Sequence, residues 1–166
     1  MKKIIMAAAI VCAAVCAQAS TVNWGLSSAI DATTFASGTA YLVCVDAIAK
    51  PSLADDDAAS AWYSSANLDT TAFRSAAVAD GLVYETEDIA EAIGRKNYYL
   101  VVVNEDETAM AISTTTKALN ITTGALNTTA AWTSTQVSTY ALVPEPTSGL
   151  LMLVGLGALA LRRRRA

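Results

Sequence analysis

The sequence predicts a mainly β protein, a small antiparallel β-sandwich-like domain with one or two short helices, flanked by an apolar helix at each end. Three observations predict this arrangement. Runs of β-branched and aromatic residues recur through the middle of the chain, as is typical of strands. Each terminus has an apolar run bordered by basic residues, which is typical of targeting segments. The roughly 120 residues between them are enough for one hydrophobic core.

We therefore divide the 166 residues into a signal peptide at 1–19, a β-rich extracytoplasmic domain at 20–143 and a C-terminal segment at 144–166. The middle division holds fourteen acidic residues and five basic ones, a net charge of −9. Such a surface repels phosphate backbones and anionic lipid, which argues against nucleic acid as a partner. Acidity that keeps an exported domain soluble is the simpler interpretation, and loose binding of divalent cations is the alternative.

The N-terminal segment has the three parts of a cleavable secretion signal. Lys2 and Lys3 are followed by thirteen apolar residues, and then by Ala17-Gln18-Ala19, which supplies the small residues that a signal peptidase reads. The predicted cut lies between Ala19 and Ser20. As a helix the apolar stretch spans about 20 Å, which is short of the bilayer core and argues against a permanent anchor.

The strongest strand is predicted at 97–103, which is rich in tyrosine and valine, and a second strand is predicted at 39–45. The polar residues 104–107 then connect the first of these to a strand at 108–113, which predicts a hairpin with a four-residue loop. Weaker strands are predicted at 22–26, 81–85 and 139–143.

Two stretches favour short helices. Residues 51–66 begin with Pro51, which suits a first helical turn, and contain three consecutive aspartates before an alanine-rich run. Residues 86–93 carry acidic residues early and are followed by Gly94, a common helix stop. Residues 114–138 are rich in threonine and nearly uncharged, which favours edge strands and loops.

The residue types present exclude several reaction classes. The chain has no histidine, which excludes Ser-His-Asp and Cys-His catalysis and histidine-containing zinc sites. Cys12 and Cys16 lie in the segment predicted to be removed, so the mature chain would keep Cys44 alone and have no internal disulfide. Because Cys44 lies in an apolar predicted strand, we expect it to be a small buried residue.

Other candidate residues have a structural interpretation beside the functional one. The carboxylates at 55–57 and 105–107 are either calcium ligands or a helix start and a solvated turn, and neither group has EF-hand spacing. No pair of acids stands out for glycoside cleavage. Trp24, Trp62 and Trp132 form either a sugar-stacking surface or part of the core. We expect no catalytic residue, no metal site and no cofactor.

The C-terminal segment has the order of a membrane-arrested tail. Pro144, Glu145 and Pro146 are followed by the uncharged residues 147–161, which are the predicted transmembrane helix, and then by four arginines. That helix is about 22 Å long, so bilayer thinning and snorkelling are needed to cover the mismatch. By the positive-inside rule Arg162, Arg163, Arg164 and Arg165 are the cytoplasmic stop, which places the β-rich domain outside.

A proline-glutamate-proline triplet directly before an apolar run and an arginine cluster closely resembles the PEP-CTERM sorting signal of Gram-negative bacteria. The same tail is also known as an ice-binding-protein C-terminal motif. The resemblance covers 23 of the 166 residues. It implies processing near the triplet by an exosortase, a membrane cysteine transpeptidase, and delivery to the cell surface or the exopolysaccharide matrix. It implies a route and no ice-binding activity.

Together these features predict an exported cell-envelope or matrix protein with a non-enzymatic structural or adhesive role. Its expected partners are signal peptidase and the exosortase, the inner membrane as an anchor before sorting, and exopolysaccharide. A secreted carbohydrate-binding module is the alternative, and a small hydrolase that uses carboxylates is a third hypothesis.

Overall fold

The computed structural model describes residues 19–122 and 127–143. The predicted signal helix and the predicted transmembrane helix lie outside these ranges. Within them, neither helix combines the length and apolar character that a bilayer crossing demands. The prediction of a mainly β chain with antiparallel sheets and two helices is confirmed.

The described residues form nine strands and two α-helices. In chain order they are β1 Ser20–Leu26, β2 Ser37–Cys44, α1 Asp56–Ala66, α2 Leu68–Thr71, β3 Arg74–Ala79, β4 Tyr84–Ile89, β5 Gly94–Asn104, β6 Ala109–Ser113, β7 Lys117–Ile121, β8 Thr128–Trp132 and β9 Val137–Ala141, with a 3-10 turn at Ser134–Gln136 before β9.

The strands form two sheets. The larger has the order β3-β2-β5-β6-β9, and β7 also pairs with the first half of β5. The smaller has the order β4-β1-β8. Every pair is antiparallel except β1 with β8, which is parallel and therefore departs from the predicted antiparallel arrangement. β1 can pair in this way because β8 follows it by about a hundred residues, far beyond the reach of a hairpin.

Alternation along β2 and β5 sends successive side chains to opposite faces of the larger sheet. One face shares a buried cluster with the smaller sheet, which we call the sheet-side core; it includes Trp24, Leu42, Leu100 and Trp132. The other face shares a cluster with the two helices, which we call the helix-side core; it includes Tyr41, Ala59, Tyr99 and Leu142. The larger sheet is therefore covered on both sides.

Most predicted strands appear close to their expected positions. The hairpin is confirmed: β5 and β6 pair antiparallel, and their loop is Glu105–Thr108, one residue later than predicted. Asn104 fixes this loop, because its Oδ1 accepts bonds from the amides of Thr108 and Ala109 at 2.9 and 2.8 Å. The 81–85 strand begins only at Tyr84, and β3 was not predicted.

The predicted helix at 86–93 is wrong, because the first half of this stretch, 86–89, belongs to β4 and the second half, 90–93, is irregular. The buried and exposed residues of β4 alternate, and β4 pairs with β1 along its whole length. The acidic side chains that resembled a helix start lie on an edge strand, where charge discourages pairing with other chains. Gly94 opens β5 with a φ of +81° and does not end a helix.

The predicted helix at 51–66 is confirmed only from Asp56 onward. Asp55 is its N-cap, and the carboxylate of Asp55 accepts a bond from the amide of Ala58 at 2.8 Å. Pro51 lies before the helix and not in its first turn.

Candidate functional site

The end of the described domain lies at the predicted sorting triplet. Strand β9 is at one edge of the larger sheet and pairs with β6, so that Ala141 lies opposite Ala109. Just past the strand, the Leu142 amide donates to the Thr108 carbonyl at 2.8 Å, and the Leu142 side chain is buried in the helix-side core. The backbone therefore stays attached to the sheet to within two residues of Pro144.

Helix α1 holds the same backbone from the other side. The Ala141 amide donates to Asp56 Oδ1 at 3.0 Å, and the Val143 amide donates to Ser60 Oγ at 2.9 Å. Ser60 Oγ in turn donates to the Asp56 carbonyl at 2.8 Å. The Val143 side chain is about half exposed, at 52%. The last described residues are thus bonded to β6 and to α1.

The predicted sorting residues follow this attachment point directly in the sequence. Pro144, Glu145, Pro146 and the arginines at 162–165 lie outside the described residues, so their assignment stays a prediction.

The predicted signal peptidase cut falls at the first residue of a strand. Ser20 opens β1, lies opposite Ile89 and is fully buried, and its hydroxyl donates to the Thr122 carbonyl. A cut between Ala19 and Ser20 would therefore leave the whole of β1 in the mature chain. The cut itself stays a prediction.

The tryptophans do not form the sugar-stacking surface that we considered. Trp24 and Trp132 have no exposed area, and both lie in the sheet-side core. The indole N–H of Trp132 donates to the Thr115 carbonyl at 3.0 Å, which satisfies its polar edge. Trp62 is partly buried against the helix-side core, with its ring centroid 6.5 Å from that of Tyr99. The surface is absent because two of its three members are core residues.

A groove on the helix side of the larger sheet was not predicted. It has two adjoining parts of about 400 and about 180 Å³, and Tyr41 and Tyr63 line both. Asp69 lines the smaller part, and Glu105 and Glu107 line the larger. The groove therefore combines tyrosine rings with hydrogen-bonding carboxylates.

The two tyrosines of the groove are held neutral. Partial burial raises the pKa of Tyr41, and its phenol donates a hydrogen bond to Asp69 at 2.7 Å, which raises the pKa further. Partial burial also raises the pKa of Tyr63, and the charge of Glu107 adds to the effect. Both phenols therefore stay protonated well above neutral pH, and the Tyr41 phenol already donates its hydrogen to Asp69.

The two carboxylate clusters have the structural roles that we considered simpler. Asp55–Asp57 spans the N-cap and first turn of α1, and Glu105–Glu107 forms the β5–β6 turn. In the part of the chain that the structure describes, no three Cys, Asp or Glu residues are grouped as metal ligands. Cys44 lies at the end of β2, where it packs against the sheet-side core but is only partly buried, so it is less buried than expected.

The residues that form the groove and hold the C-terminal backbone could hardly be recognised in the sequence. Asp56 and Ser60 are four apart, which places them on one helix face, but the sequence does not show which strand that face meets. Tyr41 alternates with core residues along β2, and only the position of α1 opens a groove beside it.

The comparisons with known proteins concern the tail. The family profile of the PEP-CTERM protein-sorting motif matches residues 142–165. No curated protein matches the chain, and no solved structure does. The match begins at Leu142, so the sorting motif overlaps the last two residues that the structure describes. The C-terminal end of this chain is therefore a PEP-CTERM sorting motif, which implies an exported protein that an exosortase processes.

Proposed function

We propose that the chain is a displayed, non-enzymatic protein of the bacterial cell surface or extracellular matrix, delivered by signal peptidase and then by an exosortase. The observation that carries this proposal is the sorting motif that begins where the β-rich domain ends. A structural or adhesive role fits a domain with a closed double core and no histidine for general catalysis.

The proposed topology follows from the two apolar ends of the sequence. The signal at 1–19 exports the domain, residues 147–161 arrest the chain in the inner membrane, and the four arginines stay in the cytoplasm. Only three residues separate Val143 from Thr147, so the Cα atoms of these two residues are at most about 14 Å apart when the chain is extended. Before sorting, the domain therefore lies next to the outer surface of the inner membrane.

The proposal is tested by the mass of the mature protein recovered from the cell surface. We expect a chain that begins at Ser20 and has lost the arginine end. In a matched strain that lacks the exosortase, we expect the full tail to remain and the protein to stay in the membrane. An identical mass and location in both strains would refute exosortase sorting.

The groove supports carbohydrate binding as a second candidate function. Tyrosine rings provide apolar faces for sugar rings, and the carboxylates of Asp69, Glu105 and Glu107 accept bonds from hydroxyls. The site differs from the tryptophan surface first considered, and the ligand class is the same.

Binding of the purified protein to a glycan array, followed by titration calorimetry, tests this second function. We expect Tyr63→Ala to weaken binding at least tenfold. Tyr140→Ala is the matched control, because Tyr140 is a partly buried tyrosine on the same face that lies outside the groove. Equal affinity of the wild type and Tyr63→Ala would refute a role of the groove.

A further inference from the structure

The backbone amides at the end of β9 alternate between two partners. In an antiparallel edge strand, every second N–H group points away from the neighbouring strand and is normally left to solvent. Here the Leu142 amide points toward the neighbouring chain segment, where it donates to the carbonyl of Thr108, the residue just before β6. The amides of Ala141 and Val143 point away from β6 and bond to side chains of α1.

The two side chains of α1 that accept these amides lie on the same face of the helix. Asp56 and Ser60 are one helical turn apart and face the strand together. Ser60 donates its only hydroxyl hydrogen to the Asp56 carbonyl, so its lone pairs are left to accept the Val143 amide. A carboxylate that accepts an amide bond is a strong acceptor, which makes the Asp56 contact the firmer of the two.

Burial strengthens the attachment between these two contacts. The Leu142 side chain is 6% exposed and lies in the helix-side core. Residues 141–143 can therefore leave the domain only if three hydrogen bonds break and Leu142 is exposed. Such local opening limits how often a segment reaches an enzyme.

We propose that Asp56 and Ser60 are positioning residues that clamp residues 141–143 and so restrict the exosortase to the peptide beginning at Pro144. This inference rests on the proposed function, because it concerns the same processing step. An enzyme that takes its substrate as an extended chain cannot engage amides already bonded to α1 and to Thr108. The clamp therefore sets how much of the chain before the triplet is available and slows processing.

The first test measures the clamp in the full-length protein in detergent micelles. We compare amide hydrogen exchange in the wild type and in the Asp56→Ala/Ser60→Ala double variant. We expect the amides of Ala141 and Val143 to exchange about tenfold faster in the variant, since two hydrogen bonds are lost. Unchanged exchange of both amides would overturn the clamp.

The second test measures processing by pulse-chase labelling in cells that contain the exosortase. We expect the double variant to lose its tail several-fold faster than the wild type. The matched control is Asp57→Ala/Ser64→Ala, which removes one acid from the first turn and one serine from the same helix, and it should process at the wild-type rate. Asp56→Asn/Ser60→Thr keeps both acceptors and should restore the wild-type rate.

The outcomes separate the two proposals. Faster exchange with an unchanged processing rate would overturn the clamp's role and leave exosortase sorting intact. A wild-type chain that keeps its tail in these cells would refute the proposed function, and the role in processing with it. Should the double variant fold poorly, Ser60→Ala alone provides the comparison, and an unchanged rate with faster Val143 exchange would again overturn the role.

Discussion

The two faces of the larger sheet are covered in different ways. The sheet-side core is closed by a second sheet and contains two fully buried tryptophans. The helix-side core is covered by α1 and α2. Trp62 and Tyr63, which both lie in α1, are only partly buried. A narrow helix covers less of a sheet than a second sheet does, so it leaves a groove and exposes polar side chains at its rim. Both features that we connect with function, the groove and the clamp, lie on the helix side.

The largest expected effect is a loss of unfolding free energy, and it tests whether the sheet-side core contributes more to stability than the helix-side core does. Trp132→Ala removes a fully buried ring and its bond to Thr115, and we expect a loss of about 3 to 5 kcal/mol of unfolding free energy. Trp62→Ala on the helix side should cost only about 1 to 2 kcal/mol, because that ring is partly exposed. Urea unfolding measures both, and equal losses would contradict the comparison.

A smaller effect is expected at the N-terminus of α1, which covers the helix side. Asp55→Ala removes the N-cap bond to Ala58 and should lower stability by about 1 kcal/mol. The control Asp57→Ala removes an acid of the first turn without removing the cap. Circular dichroism during urea unfolding provides the measurement, and identical midpoints for the two variants would show that the cap is dispensable.

Two adjacent tyrosines allow the effect of a buried phenol to be compared between the two faces of the larger sheet. Tyr98 lies in the sheet-side core and Tyr99 in the helix-side core, and among the described residues neither phenol has a hydrogen-bond partner. Burial raises the pKa of Tyr98 to about 12. Removing an unsatisfied buried hydroxyl relieves its desolvation cost, so Tyr98→Phe and Tyr99→Phe should each raise stability by up to about 1 kcal/mol. A clear loss in thermal unfolding would reveal a partner for that phenol.

The smallest expected effect lies outside both cores, at Asp31. Hydrogen bonds from Thr33 and Thr34 lower the pKa of this exposed carboxyl to about 2. Because the pKa is lower in the folded state, the contribution is present above about pH 4 and is lost as the pH falls toward 2. The stability difference between the wild type and Asp31→Asn should therefore narrow over this range. Asp57→Asn is the control, and a difference independent of pH would contradict the assignment.

The strands of this domain could be predicted from the sequence more closely than its helices could. The valine- and tyrosine-rich β5 was predicted because its composition and its polar turn act locally. The helix prediction at 86–93 was wrong because acidic residues before a glycine are typical of a helix, whereas pairing with β1 makes Tyr84–Ile89 a strand. Trp24 and Trp132 were ambiguous because a tryptophan in the sequence does not show whether its face meets solvent or another sheet.

The sequence by itself determined the sorting motif, because three adjacent features of the tail carry that signal without tertiary contacts. It also determined the mainly β character, since strand composition is a local property. Only the tertiary structure decided that the domain remains bonded as far as Val143 and that a groove opens beside Tyr41. Both depend on where α1 lies on the larger sheet, and packing between distant segments sets that position.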